Sequence, residues 1–138
     1  YDEKKEVFVT VSKIGTGLTD EEWRILKVKS QKSTPIQSRS KVKSKPESYL
    51  VDKNMECDVW LDPSIVLEVR ADEITKSPIH TAGRVMKMTK TGKGEEVDTP
   101  GFALRFPRLE RFRHDKRPED TTTVKEIEKM YTQQKVLS

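Results

Sequence analysis

With one cysteine in its sequence, Cys57, the chain has no intrachain disulfide open to it and no zinc knuckle built on paired thiolates. A reducing, intracellular setting is the expectation. No apolar run approaches the roughly 18 residues of a membrane-spanning helix. The first residues, YDEKKE, have neither the composition of a signal peptide nor an initiating Met, so the chain reads as excised from something longer. Apolar residues are scarce as well: at 33% hydrophobic and 36% charged over 138 residues, the core must be small and the surface densely ionic. That balance favours a small barrel or sandwich, one domain over 1–138. Catalytic constellations are missing too, with no serine elbow and no metal-ligand cluster. His80 and His114 lie in different segments, and His80, in SPIHTAG, reads as a hydrogen-bonded loop residue. KTGKG lacks the G-x-x-x-x-G-K-[ST] spacing that cradles a triphosphate.

What is present is charge, unevenly placed. Lys and Arg total 27 against 23 acids, a net charge of +4, which points to an anionic partner and makes local clustering decisive. Residues 27 to 46 carry lysines and Arg39 among serines without one acid. A basic loop at about 27–48 is expected, either a solvated connection or a strap that faces nucleic acid through Lys41 and Lys43. A second cluster, RFRHDKRPED at 111–120, sets Arg111 and Arg113 two apart, so a strand there projects both to one side. Guanidinium forks suit bidentate phosphate contact, Lys116 is a mobile point charge, and Asp115 is placed to orient Arg113 or Lys116 by ion pairing.

Periodicity supplies the elements between these clusters. EVFVTVSKI (6–14) alternates like a strand with one buried face, and Gly15 and Gly17 end it. Thr19 and Glu22 form a capping-box pattern ahead of Trp23 and Leu26, predicting a helix of two or three turns. DVWLDP and SIVLEVRADEI are strand candidates, KMTKTGKGEEVDTPG is a long hairpin-like connection, and FALRF and RLERFR alternate on either side of Pro107, where an edge, bulge or bend is expected. By its alternation with Phe102 and Leu104, Phe106 reads as core. Thr123 with Glu126 opens a terminal amphipathic helix at about 121–134. The count of strands fits a five-stranded OB barrel, and an SH3-like barrel almost as well.

ALRFPRLERFRHDKRPED resembles the terminal motif of ATP-dependent DNA ligases, an R-F-P-R segment followed by R-x-D-K-x-x-E-D, matched by Arg113, Asp115, Lys116, Glu119 and Asp120. KIGTGLTDEE and DVWLDPSIVLEVRADEITKSPIHTAG are similar to other segments of that family's C-terminal domain, of archaeal and eukaryotic type. The resemblance implies a mainly β chain, an OB-fold five-stranded Greek-key barrel with a short early helix and a C-terminal amphipathic helix. It implies that Arg113 and Lys116 reach the phosphates of ATP during adenylation of a lysine elsewhere in the enzyme, with Asp115 beside them. It further implies that Arg105, Phe106 and Arg108 later meet the minor groove of a nicked duplex, in replication, repair and recombination. Glu110 and His114 stand at variable positions of the motif. The adenylated-lysine motif K-x-D-G does not occur in this chain, so alone it is expected to form no AMP adduct.

ATP and Mg2+ belong on this reading to the parent enzyme, with neither bound tightly by this part. The implied partners are nicked duplex DNA and the nucleotidyltransferase domain of the same enzyme, with a sliding clamp reached through the parent as a further candidate, no membrane, and a monomeric state. Localisation would be cytoplasmic if archaeal and nuclear if eukaryotic, and a single Asn among abundant Lys and Glu hints at a thermophilic, archaeal source. Two alternatives stand beside it. A free-standing single-strand-binding OB module would want aromatics spread over one sheet face, whereas Trp23, Tyr49, Trp60 and Tyr131 fall in different segments. A capping-enzyme OB domain also ends in a basic motif.

Overall fold

The computed structural model describes residues 1–15, 17–33, 45–58 and 60–137. Lys41 and Lys43 lie outside them. The chain is mainly β, with one early and one late helix, in the order β1 (Phe8–Val9), α1 (Asp20–Ser33), β2 (Tyr49–Leu50), β3 (Leu67–Arg70), β4 (Glu73–Ser77), β5 (Val85–Met88), β6 (Glu95–Thr99), β7 (Gly101–Arg105), β8 (Arg108–Phe112) and α2 (Val124–Leu137). No helix among the described residues is long and apolar enough to cross a membrane.

These strands make four two-stranded ladders, β1 with β2, β3 with β8, β4 with β7 and β5 with β6, and among the described residues no ladder closes into a five-stranded barrel. The physical reason lies at two places. Phe106 adopts a positive φ of 54° ahead of Pro107, which has no N–H to donate, so the run FALRFPRLERF breaks into β7 and β8 and each takes a different partner. The predicted strand 6–14 divides its backbone bonds instead of building one ladder. Phe8 N–H donates to Ser48 O at 2.7 Å, Thr10 O accepts from Ala82 N–H at 3.1 Å, and Val11 O accepts from Leu104 N–H at 2.7 Å. Only Phe8–Val9 is ladder.

β7 lies between β4 on one side and this N-terminal segment on the other, and Phe102 and Ala103 on its two faces are both buried. Gly101 admits that crowding, because a Cβ there would stand 1.9 Å from His80 O. The core is small, as the composition requires. Ile74, Phe102 and Ile127 form its centre, with Leu104 and Tyr131 packed against it. α2 reaches the core through Ile127 and covers the edge of β4, where the Gln134 side chain accepts from Ile74 N–H at 2.8 Å and donates to Ile74 O at 2.9 Å. An amide side chain thus stands in for a neighbouring strand on an edge that would otherwise be unpaired.

Both capping boxes form. Thr19 N–H donates to Glu22 Oε1 and Glu22 N–H to Thr19 Oγ1, at 2.8 and 3.1 Å; Thr123 and Glu126 repeat the arrangement at 3.1 and 3.2 Å. α1 runs 14 residues, longer than predicted, so Lys27 and Lys29 belong to a helix and not to the basic loop. No Gly or Pro interrupts it before Pro35, and the residue preceding a proline disfavours helix. Trp23 and Val28 are exposed on it. SIVLEVRADEI holds β3 and the start of β4 with a bend at Asp72 between them, and the described residues of DVWLDP form no strand. The connection at 85–99 is a paired hairpin turned at Gly92, whose φ is 71°.

Candidate phosphate and nucleic-acid interface

β8 carries the charged motif and β3 supplies its acidic partners. The two strands are antiparallel, with Glu68 opposite Arg111 and Arg70 opposite Arg108, and an irregularity between them leaves Glu110 as the extra residue of β8. That irregularity sets the register beyond it. Arg113 N–H donates to Val66 O at 2.8 Å, so the backbone stays tied to the β3 run past the end of β8. Arg111 and Arg113 do reach the same place. Arg111 Nε donates to Glu68 Oε2 at 2.6 Å, and Arg113 Nη1 to Glu68 Oε1 at 3.4 Å.

Arg113 is the most fully engaged cation of the motif. Its Nε and Nη2 donate to the two oxygens of Asp115 at 2.8 and 2.7 Å, a fork-to-fork pair. Those bonds hold the Asp115 carboxyl well below the usual carboxylate range and raise Arg113 above its own. Only 21% of the Arg113 side chain is exposed. Of the two candidates for Asp115's partner, it is Arg113 that takes it. Lys116 is exposed and makes neither an ion pair nor a hydrogen bond among the described residues. Arg117 forks onto Asp120 at 2.9 and 3.2 Å, which lowers the Asp120 carboxyl in the same way. One cation is therefore oriented and the other is left mobile.

The second group lies at the opposite end of β8. At about 3.3 Å per residue, Arg108 and Arg113 are separated by roughly 15 Å of strand. Phe106 is 63% exposed, which removes the core reading and leaves the exposed one. The Arg105 guanidinium stands 5.3 Å from its ring centroid. Arg105 faces Glu73 at 3.6 Å, and Arg108 donates to Asp72 at 2.9 Å and to Phe106 O at 3.1 Å. Arg105, Phe106 and Arg108 thus converge, while Lys41 and Lys43 cannot be placed with them.

Sequence reasoning missed Glu68, Asp72 and Glu73, the carboxylates that hold these arginines. It also missed Lys29, which comes from α1 to within 3.2 Å of His114 and 5.1 Å of the Phe112 ring centroid. The only available signal was the lone acid in the middle of VLEVR, and pairing it with Arg111 requires knowing that β3 lies beside β8. His80 bonds the Ser77 hydroxyl at 2.7 Å. Among the described residues no group of three or more His, Cys, Asp or Glu is placed to hold a metal ion. The cations of the motif are of the kind that suits phosphate oxygens.

A mainly β module with a terminal basic motif, whose cations divide between the two ends of one strand, is the class that this geometry defines. Residues 1–116 match the family described as the ATP dependent DNA ligase C terminal region. The chain belongs to that family. It is 45% identical over 136 residues to a probable DNA ligase of Dictyoglomus thermophilum, covering 98% of this chain and 20% of that protein. With a DNA ligase of Caldivirga maquilingensis it shares 43% identity over 136 residues, again 98% of this chain and 20% of the relative. A DNA ligase 1 of Methanosarcina acetivorans is 38% identical over 125 residues, 91% of this chain and 18% of its own length. The chain spans about a fifth of the curated relatives it matches. A free-standing single-strand-binding module is not favoured. Tyr1, Phe8, Tyr49 and Trp60 do gather, but as half-buried rings at tilted or edge-on angles, 4.9 to 6.3 Å between centroids, and not as a row of open faces.

Proposed function

We propose that this chain is the C-terminal module of an ATP-dependent DNA ligase and serves two steps with two different ends of β8. In the first, Arg113 and Lys116 meet the ATP phosphates while the module is folded over the nucleotidyltransferase domain, where a lysine takes AMP and pyrophosphate leaves. Their role is to stabilise charge on the phosphates, and Asp115 holds the Arg113 fork in place for it. ATP and a divalent ion accompany the parent enzyme, and the phosphates alone fall to these residues. In the second step Arg105, Phe106 and Arg108 engage the backbone and minor groove of the nicked duplex, where an exposed phenylalanine between two arginines acts as an apolar wedge. Nick sealing in replication and repair is the process this serves.

The observation that carries the reading is the division of the cations along β8, with Arg108 opening the strand and Arg113 directly following it. Two contacts that must be made in different orientations are kept apart in the module itself. Single-turnover assays on the parent enzyme test this. R113A and K116A are expected to slow self-adenylation about a hundred- to thousandfold, by analogy with the loss of single oxyanion donors, while the sealing of a pre-adenylated nick changes little. R105A and R108A are expected to do the reverse. Equal losses in both steps for R113A and K116A would make them structural residues and end the phosphate assignment.

A further inference from the structure

Beside the Arg113–Asp115 fork lies a pocket of about 310 Å3 whose lining draws Lys29 from α1 and Ser64 from the loop before β3, together with Phe112, Arg113, His114 and Lys116. Every ionisable residue that lines it is basic. A second cavity, about 810 Å3, also touches Arg113 and Lys116 but includes Glu68, Asp72 and Glu73. Asp115 and Glu68 offset the Arg113 charge from outside this lining, so the ammoniums of Lys29 and Lys116 give the space its net positive charge.

Lys29 is held at the rim in a particular way. Its ammonium lies 5.1 Å from the Phe112 ring centroid and within 3.2 and 3.4 Å of the two ring nitrogens of His114. A ring face and a neutral imidazole nitrogen can orient an ammonium without cancelling its charge. Arg113 contributes in a complementary manner. Nε, Nη1 and Nη2 each spend one N–H on Asp115 or Glu68, which fixes the guanidinium plane, and the remaining N–H groups stay available. The Ser64 hydroxyl lies at the wall as well, with its proton donated to Asp62 O at 3.3 Å. A fixed guanidinium, an oriented ammonium and a mobile ammonium are complementary to a polyanion with several oxygens.

We propose that Lys29 completes a three-cation site with Arg113 and Lys116, and that this pocket takes a polyphosphate of the pyrophosphate class. The proposal rests on the phosphate role given above to Arg113 and Lys116, and adds to it a binding residue from a different element together with a site that exists before any nucleotide-loaded domain closes on it. Lys29 is a positioning cation for the leaving polyphosphate and takes no part in bond making.

Calorimetric titration of the full 138-residue chain with inorganic pyrophosphate, supported by amide chemical-shift mapping, tests it. The expected result is saturable, salt-sensitive binding with shifts at Ser64 and 112–116. K29A should weaken it about fivefold, K29R should restore most of the loss, and K125A, an equal change of net charge on α2, should leave it alone. Thermal melts of each variant separate a lost contact from a lost fold. K29A behaving like K125A, while R113A and K116A still lose binding, would overturn the role of Lys29 and leave the phosphate assignment standing. Indifference of all three variants would overturn both. No binding by the unaltered chain at 10 mM pyrophosphate, on the order of a hundredfold weaker than about 0.1 mM, would overturn the preformed pocket; the step-resolved assays on the parent would then judge Arg113 and Lys116 by themselves.

Discussion

The two ends of β8 use the same residue types and treat them differently. At the Arg113 end the guanidinium is forked onto Asp115, braced by Glu68 and largely covered, whereas at the Arg108 end Arg105 and Arg108 each touch one carboxylate and remain about half exposed. Arg113 has lost its rotamer freedom in advance, so an incoming phosphate costs little further ordering. Arg105 and Arg108 keep theirs, which suits the duplex contact proposed for them. The difference teaches that net charge says little about a cationic site. How many donors are already committed, and to what, separates a fixed guanidinium from an adaptable one.

The comparison can be broken most forcefully at Gly17. Its carbonyl accepts from Leu109 N–H at 3.1 Å, and a Cβ there would lie 2.1 Å from Pro107 O and 2.9 Å from Arg108 Cα. Because both are backbone atoms, G17A must displace the turn that presents Phe106 and Arg108. A destabilisation of about 1–3 kcal/mol, typical of overpacking, is expected from urea midpoints. Duplex DNA affinity should fall while pyrophosphate affinity is retained. Parallel loss of both would show that the ends are not separable.

A smaller effect sharpens the comparison without disturbing the fold. Duplex binding by the chain should weaken with salt through counterion release, and R105A or R108A should each lower the log–log salt slope by about 1. R113A should leave that slope unchanged. A drop in slope for R113A would place it on the duplex and erase the distinction between the two ends.

The smallest effect concerns acid. Asp115 has a folded pKa depressed by the Arg113 hydrogen bonds, so its contribution to stability is present in full above the unfolded value of about 3.9 and is lost as pH falls through the folded one. The pair is exposed on the Asp115 side, at 65%, so the change in overall stability should be slight. Carboxyl-carbon NMR titration is the sensitive measurement. Asp115 is expected to titrate well below 3.9, and R113A is expected to return it to the ordinary range. A wild-type midpoint near 3.9 would mean that the fork is open in solution and that the Arg113 end is no more rigid than the other.

Legibility in the sequence followed the distance over which each contact acts. The capping boxes at Thr19 and Thr123 involve residues three apart, and both form as expected. The pairing of Arg113 with Asp115 is equally local. Misreadings came where a distant segment decided the outcome. Lys29 looked like part of a basic loop because composition describes a stretch and not its hydrogen bonds. The mainly β class with an early and a late helix was legible, while closure into a barrel was not, since counting strands says nothing of which edges find each other.

By itself the sequence determined what depends on neighbours in the chain: a small core within an ionic surface, two capped helices, a break at Pro107, and a terminal motif specific enough to name a family. Only the tertiary structure decided what depends on pairing. It set β3 beside β8 so that Glu68 serves two arginines, turned Phe106 outward through a positive φ, brought Lys29 to His114, and placed the Arg108 and Arg113 groups at opposite ends of one strand. The physical reason is that a side chain's type and spacing limit the contacts it can make, while its partner is chosen by backbone hydrogen bonds between segments far apart in sequence, whose register shifts with a single extra residue such as Glu110.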